Sequence, residues 1–169
     1  MAEPSWLTVG KALIGTHEIS GKNDNPVIMG MAKELGGDIA KEYVHDEVPW
    51  CALFANYVLH KSGIAGTNTL WALDFASWGM RLAGPALGAI APMKRSGGGG
   101  HVVFIVGRDA HGNLMGLGGN QSDAVNIKPF PLWRPLSFRW PKEAELPKDM
   151  GFARLPLMSS TGKIVGKES

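Results

Sequence analysis

The sequence predicts an α+β domain, with N-terminal helices packed on an antiparallel β-sheet. Three observations carry this. In the first half of the chain, apolar residues recur at three- and four-residue steps, the period of a helix with one buried face. From Gly88 onward the apolar runs are short and β-branched, and Val102-Val103-Phe104-Ile105-Val106 is the most continuous. The two kinds of segment occupy separate halves instead of alternating, which favours an antiparallel sheet over parallel βαβ units.

Element by element, Ser5 can cap a first helix carrying Trp6, Leu7, Val9, Ala12 and Leu13 and ending at Gly15. Pro26 suits the first turn of a second, with Val27, Ile28, Met31 and Leu35 on one face and Gly36-Gly37 as its stop. A third begins at Cys51, continues through Phe54, Ala55, Val58 and Leu59, and ends at Ser62-Gly63. A fourth is expected over Thr69–Trp78. Strands are expected at Gly88–Ala91 and Val102–Val106. After the turn signal Arg108–Asn113, further strands are expected at Leu114–Leu117, Val125–Ile127 and Leu136–Phe138. Residues 1–155 read as one catalytic domain. The last stretch, 156–169, is small, polar and aperiodic, and reads as a flexible C-terminal tail.

Composition narrows the function. With 169 residues there is room for one core, and 44% apolar against 19% charged residues is the balance of a globular protein. A net charge of +2, with no basic run interleaved with aromatics, argues against a nucleic-acid partner. No window approaches the ~20 apolar residues of a membrane span, so no membrane insertion is expected. Met1–Trp6 has no basic n-region, so the expectation is synthesis in a cytoplasm without a signal peptide. The single cysteine excludes an intramolecular disulfide.

That cysteine, Cys51, falls in the first turn of its helix, behind Pro49-Trp50. Unpaired N–H groups and the helix dipole there favour a thiolate, and the same N–H groups can hold an oxyanion. The alternative is a small apolar residue facing the core, since Cys51 also belongs to the apolar stripe.

A nucleophilic thiol needs a base. His17 and His45 lie in polar connections, and His111 lies in a turn. His60 is about 13 Å along the same helix, too far for a hydrogen bond. His101 follows glycines 97 to 100 and opens the most apolar strand, where glycines would let a ligand approach. A third group should orient the imidazole. If Ala110-His111 is a two-residue loop, His101 faces Asn120, and a shift of two keeps Asn120 on the same face. A loop of odd length brings Gln121 forward instead. Asp123 and Glu47 are reserves.

Three motifs now stand together: Pro49-Trp50-Cys51, Gly100-His101-Val102-Val103 and Gly118-Gly119-Asn120-Gln121-Ser122-Asp123. In this order they resemble the CHAP-like (NlpC/P60 superfamily) cell-wall hydrolases of phages and bacteria, over about Trp6 to Trp140. The resemblance implies a papain-like fold and a Cys51–His101–Asn120 thiol mechanism. The substrate would be an amide bond in peptidoglycan stem peptides, with Trp50, Gly100, Gly119 and Gln121 against it. That mechanism requires no metal or cofactor, and a monomer is expected. The enzyme would act in the periplasm or cell wall after delivery by a holin-type partner or a secretion machine. An antibacterial effector amidase and a non-catalytic wall-binding module are the competing expectations. Relatives often carry Gln or Asp before the Cys, where this chain has Trp50. Some bind calcium through closely spaced acids, for which Asp46-Glu47 is too sparse a set. Zinc hydrolysis lacks an HExxH-type spacing.

Overall fold

The computed structural model describes residues 3–18, 25–42 and 50–159. The chain forms helices α1 (Ser5–Ala12), α2 (Pro26–Leu35), α3 (Gly37–Glu42) and α4 (Cys51–Lys61), then a 3₁₀ turn at Ala72–Ser77. Six strands follow: β1 (Met80–Arg81), β2 (Ile90–Lys94), β3 (Gly100–Arg108), β4 (Asn113–Gly118), β5 (Asn126–Pro131) and β6 (Arg139–Trp140). They make one antiparallel sheet in the order β1-β6-β2-β3-β4-β5. The α+β class expected from the sequence is the class observed.

Local chemistry explains most element boundaries. Asn25 Oδ1 accepts from Val27 N at 2.8 Å and Pro26 opens the helix, so α2 starts where the sequence places it. Ser5 is not a cap: Pro4 precedes the helix and no side chain caps it. The start of α1 is instead tied to the sheet side by Trp6 Nε1, which donates to Gly88 O at 2.8 Å. Gly36-Gly37 turns the chain through two left-handed residues, but helical structure resumes as α3, which was not expected. The expected helix over Thr69–Trp78 shrinks to its 3₁₀ core. Buried Asn56 of α4 donates to Thr69 O at 2.9 Å and accepts from Asn68 N at 3.1 Å, which holds that approach out of helical geometry.

The helices cover one face of the sheet. Phe54 of α4 meets Phe104 of β3 edge to face, with centroids 6.2 Å apart. Both rings are fully buried, each contributing about 2 kcal/mol through the area it removes from water. Strand β6 starts later than the expected Leu136–Phe138 run, and β1 has only two residues, too few to show a period. The chain beyond 155 also differs from expectation. Leu157 bridges Arg108 in parallel, and buried Met158 packs over Gly107, so 156–158 belongs to the domain and not to a tail. The rest of the expected tail, 160–169, lies outside the described residues.

The β3–β4 hairpin sets the register at the site. Asp109 N donates to Asn113 O at 2.9 Å, leaving Ala110-His111-Gly112 as a three-residue loop, one longer than expected. A bulge between Ile105 and Gly107 removes the extra residue, so Phe104 pairs with Leu117. Counted onward, that register points residue 120 at residue 101, but the pairing stops at Phe104. Among the described residues, no helix is long and apolar enough to cross a membrane.

Candidate active site

Cys51 is the first residue of α4, as expected, and lies against the start of β3. Its Sγ is 4.0 Å from Gly100 O, and the N–H groups of Val102, Ala52 and Cys51 itself face the sulfur. The sheet explains this placement. Pro92 O accepts from Leu136 N, away from β3, so the Pro92–Val102 pair is not hydrogen-bonded. Val102 N–H and Gly100 C=O therefore point toward the β4 side. Strand β4 has already left there, and the sulfur takes its place. Cys51 is only 3% exposed. Burial raises the thiol's pKa, against the lowering effect of the Arg95 charge and the three N–H groups.

His101 opens β3 as expected, but it is 4% exposed and not beside open space. Its Nε2–H donates to Gln121 Oε1 at 2.9 Å, and its Nδ1 accepts from Arg95 Nη2 at 3.2 Å. The tautomer follows from Gln121, whose Nε2 is committed to Asn126 O at 2.8 Å and Asn126 Oδ1 at 2.9 Å. Asn126 Nδ2 in turn donates to Gln121 O at 2.8 Å. Only the Gln121 carbonyl oxygen is left to face the ring. Burial pushes His101 down to about 4; the Gln121 bond opposes this, and Arg95, Arg134 and Lys128 add to it. Among the described residues no hydrogen bond joins Sγ to the ring. Burial favours the uncharged form of both groups, the opposite of the ion pair a papain-like mechanism suggests.

Asn120 is a correction. It has φ 58 and makes no side-chain hydrogen bond among the described residues. With Asn120 left-handed the chain folds over, and Gln121, buried and next in sequence, reaches the imidazole. The side chain that meets the ring is therefore Gln121, expected against the substrate and, for a loop of odd length, as the residue brought forward to the imidazole.

Trp50, Gly100 and Gly119 are corrections as well. Trp50 is 0% exposed and its Nε1 donates to Glu18 Oε2 at 2.9 Å, so it faces the interior. A Cβ on Gly119 would meet Trp50 and Phe54 at 2.7–2.8 Å, and one on Gly100 would meet Leu73 at 2.6 Å. These two glycines serve close packing, not access. Glycines 97–99 have positive φ and open space around them, and they form the turn in which Arg95 N donates to Gly99 O at 3.1 Å. Arg95 and Asn126 were missed as site residues. The one available signal was position: Arg95 stands at the mouth of the glycine turn, and Asn126 follows the Asn120-Gln121-Ser122-Asp123 motif.

The other described histidines lie elsewhere: His17 Nδ1 is 3.2 Å from Gly15 O. His60 Nε2 is 3.3 Å from Glu34, and His111 sits exposed in the hairpin loop. Among the described residues no group of three or more His, Cys, Asp or Glu could hold a metal ion. His45, Asp46, Glu47 and Pro49 lie outside the described residues. No protein-family model matches the chain, and no curated protein matches it.

Proposed function

We propose that this protein is a cysteine-dependent amide hydrolase of papain-like (NlpC/P60, CHAP) fold that cuts an amide bond in peptidoglycan stem peptides. Cys51 is the nucleophile, His101 the base, and Gln121 holds the ring. The observation that carries this reading is the 2.9 Å Nε2–Gln121 bond, which makes Nδ1 the lone-pair nitrogen of a ring on the strand against whose edge the sulfur lies.

The reaction starts from the neutral pair. Arg95 leaves Nδ1, which takes the thiol proton as sulfur attacks the carbonyl carbon. N–H groups at the start of α4 stabilise the oxyanion. The C–N bond breaks, and the imidazolium gives its proton to the leaving amine. Water, deprotonated by Nδ1, then attacks the thioester, the C–S bond breaks, and sulfur regains its proton. The enzyme works in the periplasm or wall after delivery by a membrane-opening partner or a secretion machine. The Cys51→Ala protein is expected to lose at least about 1,000-fold in release of peptides from purified peptidoglycan while keeping its melting temperature. Full activity in that variant refutes the assignment. Mass spectrometry of the products identifies the bond, and cleavage only of non-wall amides would point to a different effector substrate.

The 3% exposure of Cys51 favours a second reading, a non-catalytic wall-binding module in which the thiol is core packing. Iodoacetamide separates the two. A hydrolase labels measurably at Cys51 once substrate fragments are present, whereas a packing thiol stays inert with or without them.

A further inference from the structure

Three cations surround the imidazole, each from a different segment. Arg95, just after β2, donates to Nδ1 at 3.2 Å. Arg134, past β5, stacks 5.7 Å over Phe130, whose ring centroid is 5.8 Å from that of His101. Lys128 of β5 donates to Ser122 Oγ in the turn that follows Gln121. His101 feels all three, and Cys51 feels Arg95. Among the described residues none of the three has a carboxylate within 4.0 Å, although such pairs form elsewhere, as at Lys11–Glu3 and Lys61–Glu34.

Such a cluster is costly in the free protein. The charges repel one another, and they weaken the base that the proposed reaction needs. An arriving carboxylate reverses both effects. It pairs with a guanidinium through two parallel hydrogen bonds, which a neutral imidazole nitrogen cannot offer. It also draws Arg95 off Nδ1 and frees that lone pair for the thiol proton.

We propose that Arg95, supported by Arg134 and Lys128, is the specificity determinant that binds a free carboxylate of the substrate beside the scissile amide, and that this binding releases His101 for catalysis. The inference rests on the hydrolase reading and deepens it by fixing the substrate as anionic at that position.

The test uses two forms of one stem-peptide fragment, with its carboxyls free and with them amidated. Binding is measured by calorimetry to the Cys51→Ala protein, which does not turn substrate over. The free-acid form is expected to bind at least tenfold more tightly, and adding Arg95→Gln is expected to abolish most of that ratio. Arg95→Lys should retain part of it, because the charge remains while the fork is lost. Arg134→Gln should reduce the ratio by a smaller factor, and it keeps the test decisive if Arg95→Gln fails to fold. Equal binding of the two forms, no binding of either, or a ratio unchanged by all three substitutions overturns the proposal. In the Cys51-containing protein, kcat/KM should show the same ratio and the same dependence on Arg95. An Arg95-dependent preference in binding without any cleavage sustains the anion site and sinks the hydrolase reading. Equal cleavage of both forms sustains the hydrolase and sinks the anion site.

Discussion

The two ends of strand β3 are built on different principles. At the Arg108 end the backbone is closed by ordinary pairing: Arg108 faces Leu114 across the hairpin and Leu157 on its other edge. Asp109 finishes the turn by accepting from His111 N at 2.9 Å, Asn113 N at 2.8 Å and Asn113 Nδ2 at 3.0 Å. At the His101 end β4 departs after Leu117, and side chains take up what the ladder leaves. A sulfur meets the strand edge, a glutamine meets one ring nitrogen and an arginine meets the other. One end is closed by backbone pairing and a carboxylate that caps the turn. The other keeps its pairing with β2 but gives up the β4 side to side chains that can exchange protons, with positive charge gathered near them.

Breaking the orienting contact should show the contrast most strongly. Gln121→Ala removes the acceptor for Nε2–H, and kcat/KM is expected to fall about 100- to 1,000-fold. The assay belongs at a temperature where circular dichroism reports both proteins folded, because Asn126 loses partners too. Activity within a factor of three of the parent would remove Gln121 from the mechanism.

Acid separates the two ends by pH window. The unfolded His101 takes a proton near its ordinary value of 6.5, but the folded ring waits until about 4. Its contribution to stability is therefore complete above pH 6.5 and lost as pH falls from 6.5 to 4, by up to about 3 kcal/mol. Asp109 behaves differently. Burial pushes its carboxyl up, but hydrogen bonds from Asn113 and His111 outweigh this and hold it below the ordinary 3.8. Its contribution is present above 3.8 and lost only below. Urea titrations between pH 7 and 3 should show the first loss vanish in His101→Gln and the second in Asp109→Asn.

The smallest expected effect is at the closed end. Asp109→Ala leaves the His111 and Asn113 donors without their acceptor and should cost about 1–3 kcal/mol in urea unfolding. Catalytic parameters should stay within a factor of two. A larger drop in kcat would mean the two ends of β3 are coupled.

Local signals made much of this legible. The start of α2 at Pro26, the run of α4 from Cys51 and the strands of the β3–β4 hairpin follow from helix period, cap chemistry and β-branched runs. The choice of Cys51 and His101 followed from position within elements. Helix α3, strand β1 and the docking of Met158 did not show, because each is too short to carry a period and is held by distant partners.

The sequence alone determined the order of helices and strands, the helix-tip thiol and the strand-opening imidazole, because neighbours along the chain decide those. Tertiary structure decided which polar group meets the ring, whether Trp50 and Gly119 face substrate or core, and that Arg95 joins the site. A loop one residue longer than expected, a bulge that cancels the extra residue and a left-handed Asn120 together chose Gln121. Register errors of one residue reverse the face of a side chain, so such choices depend on the sum of several local offsets and not on any one of them.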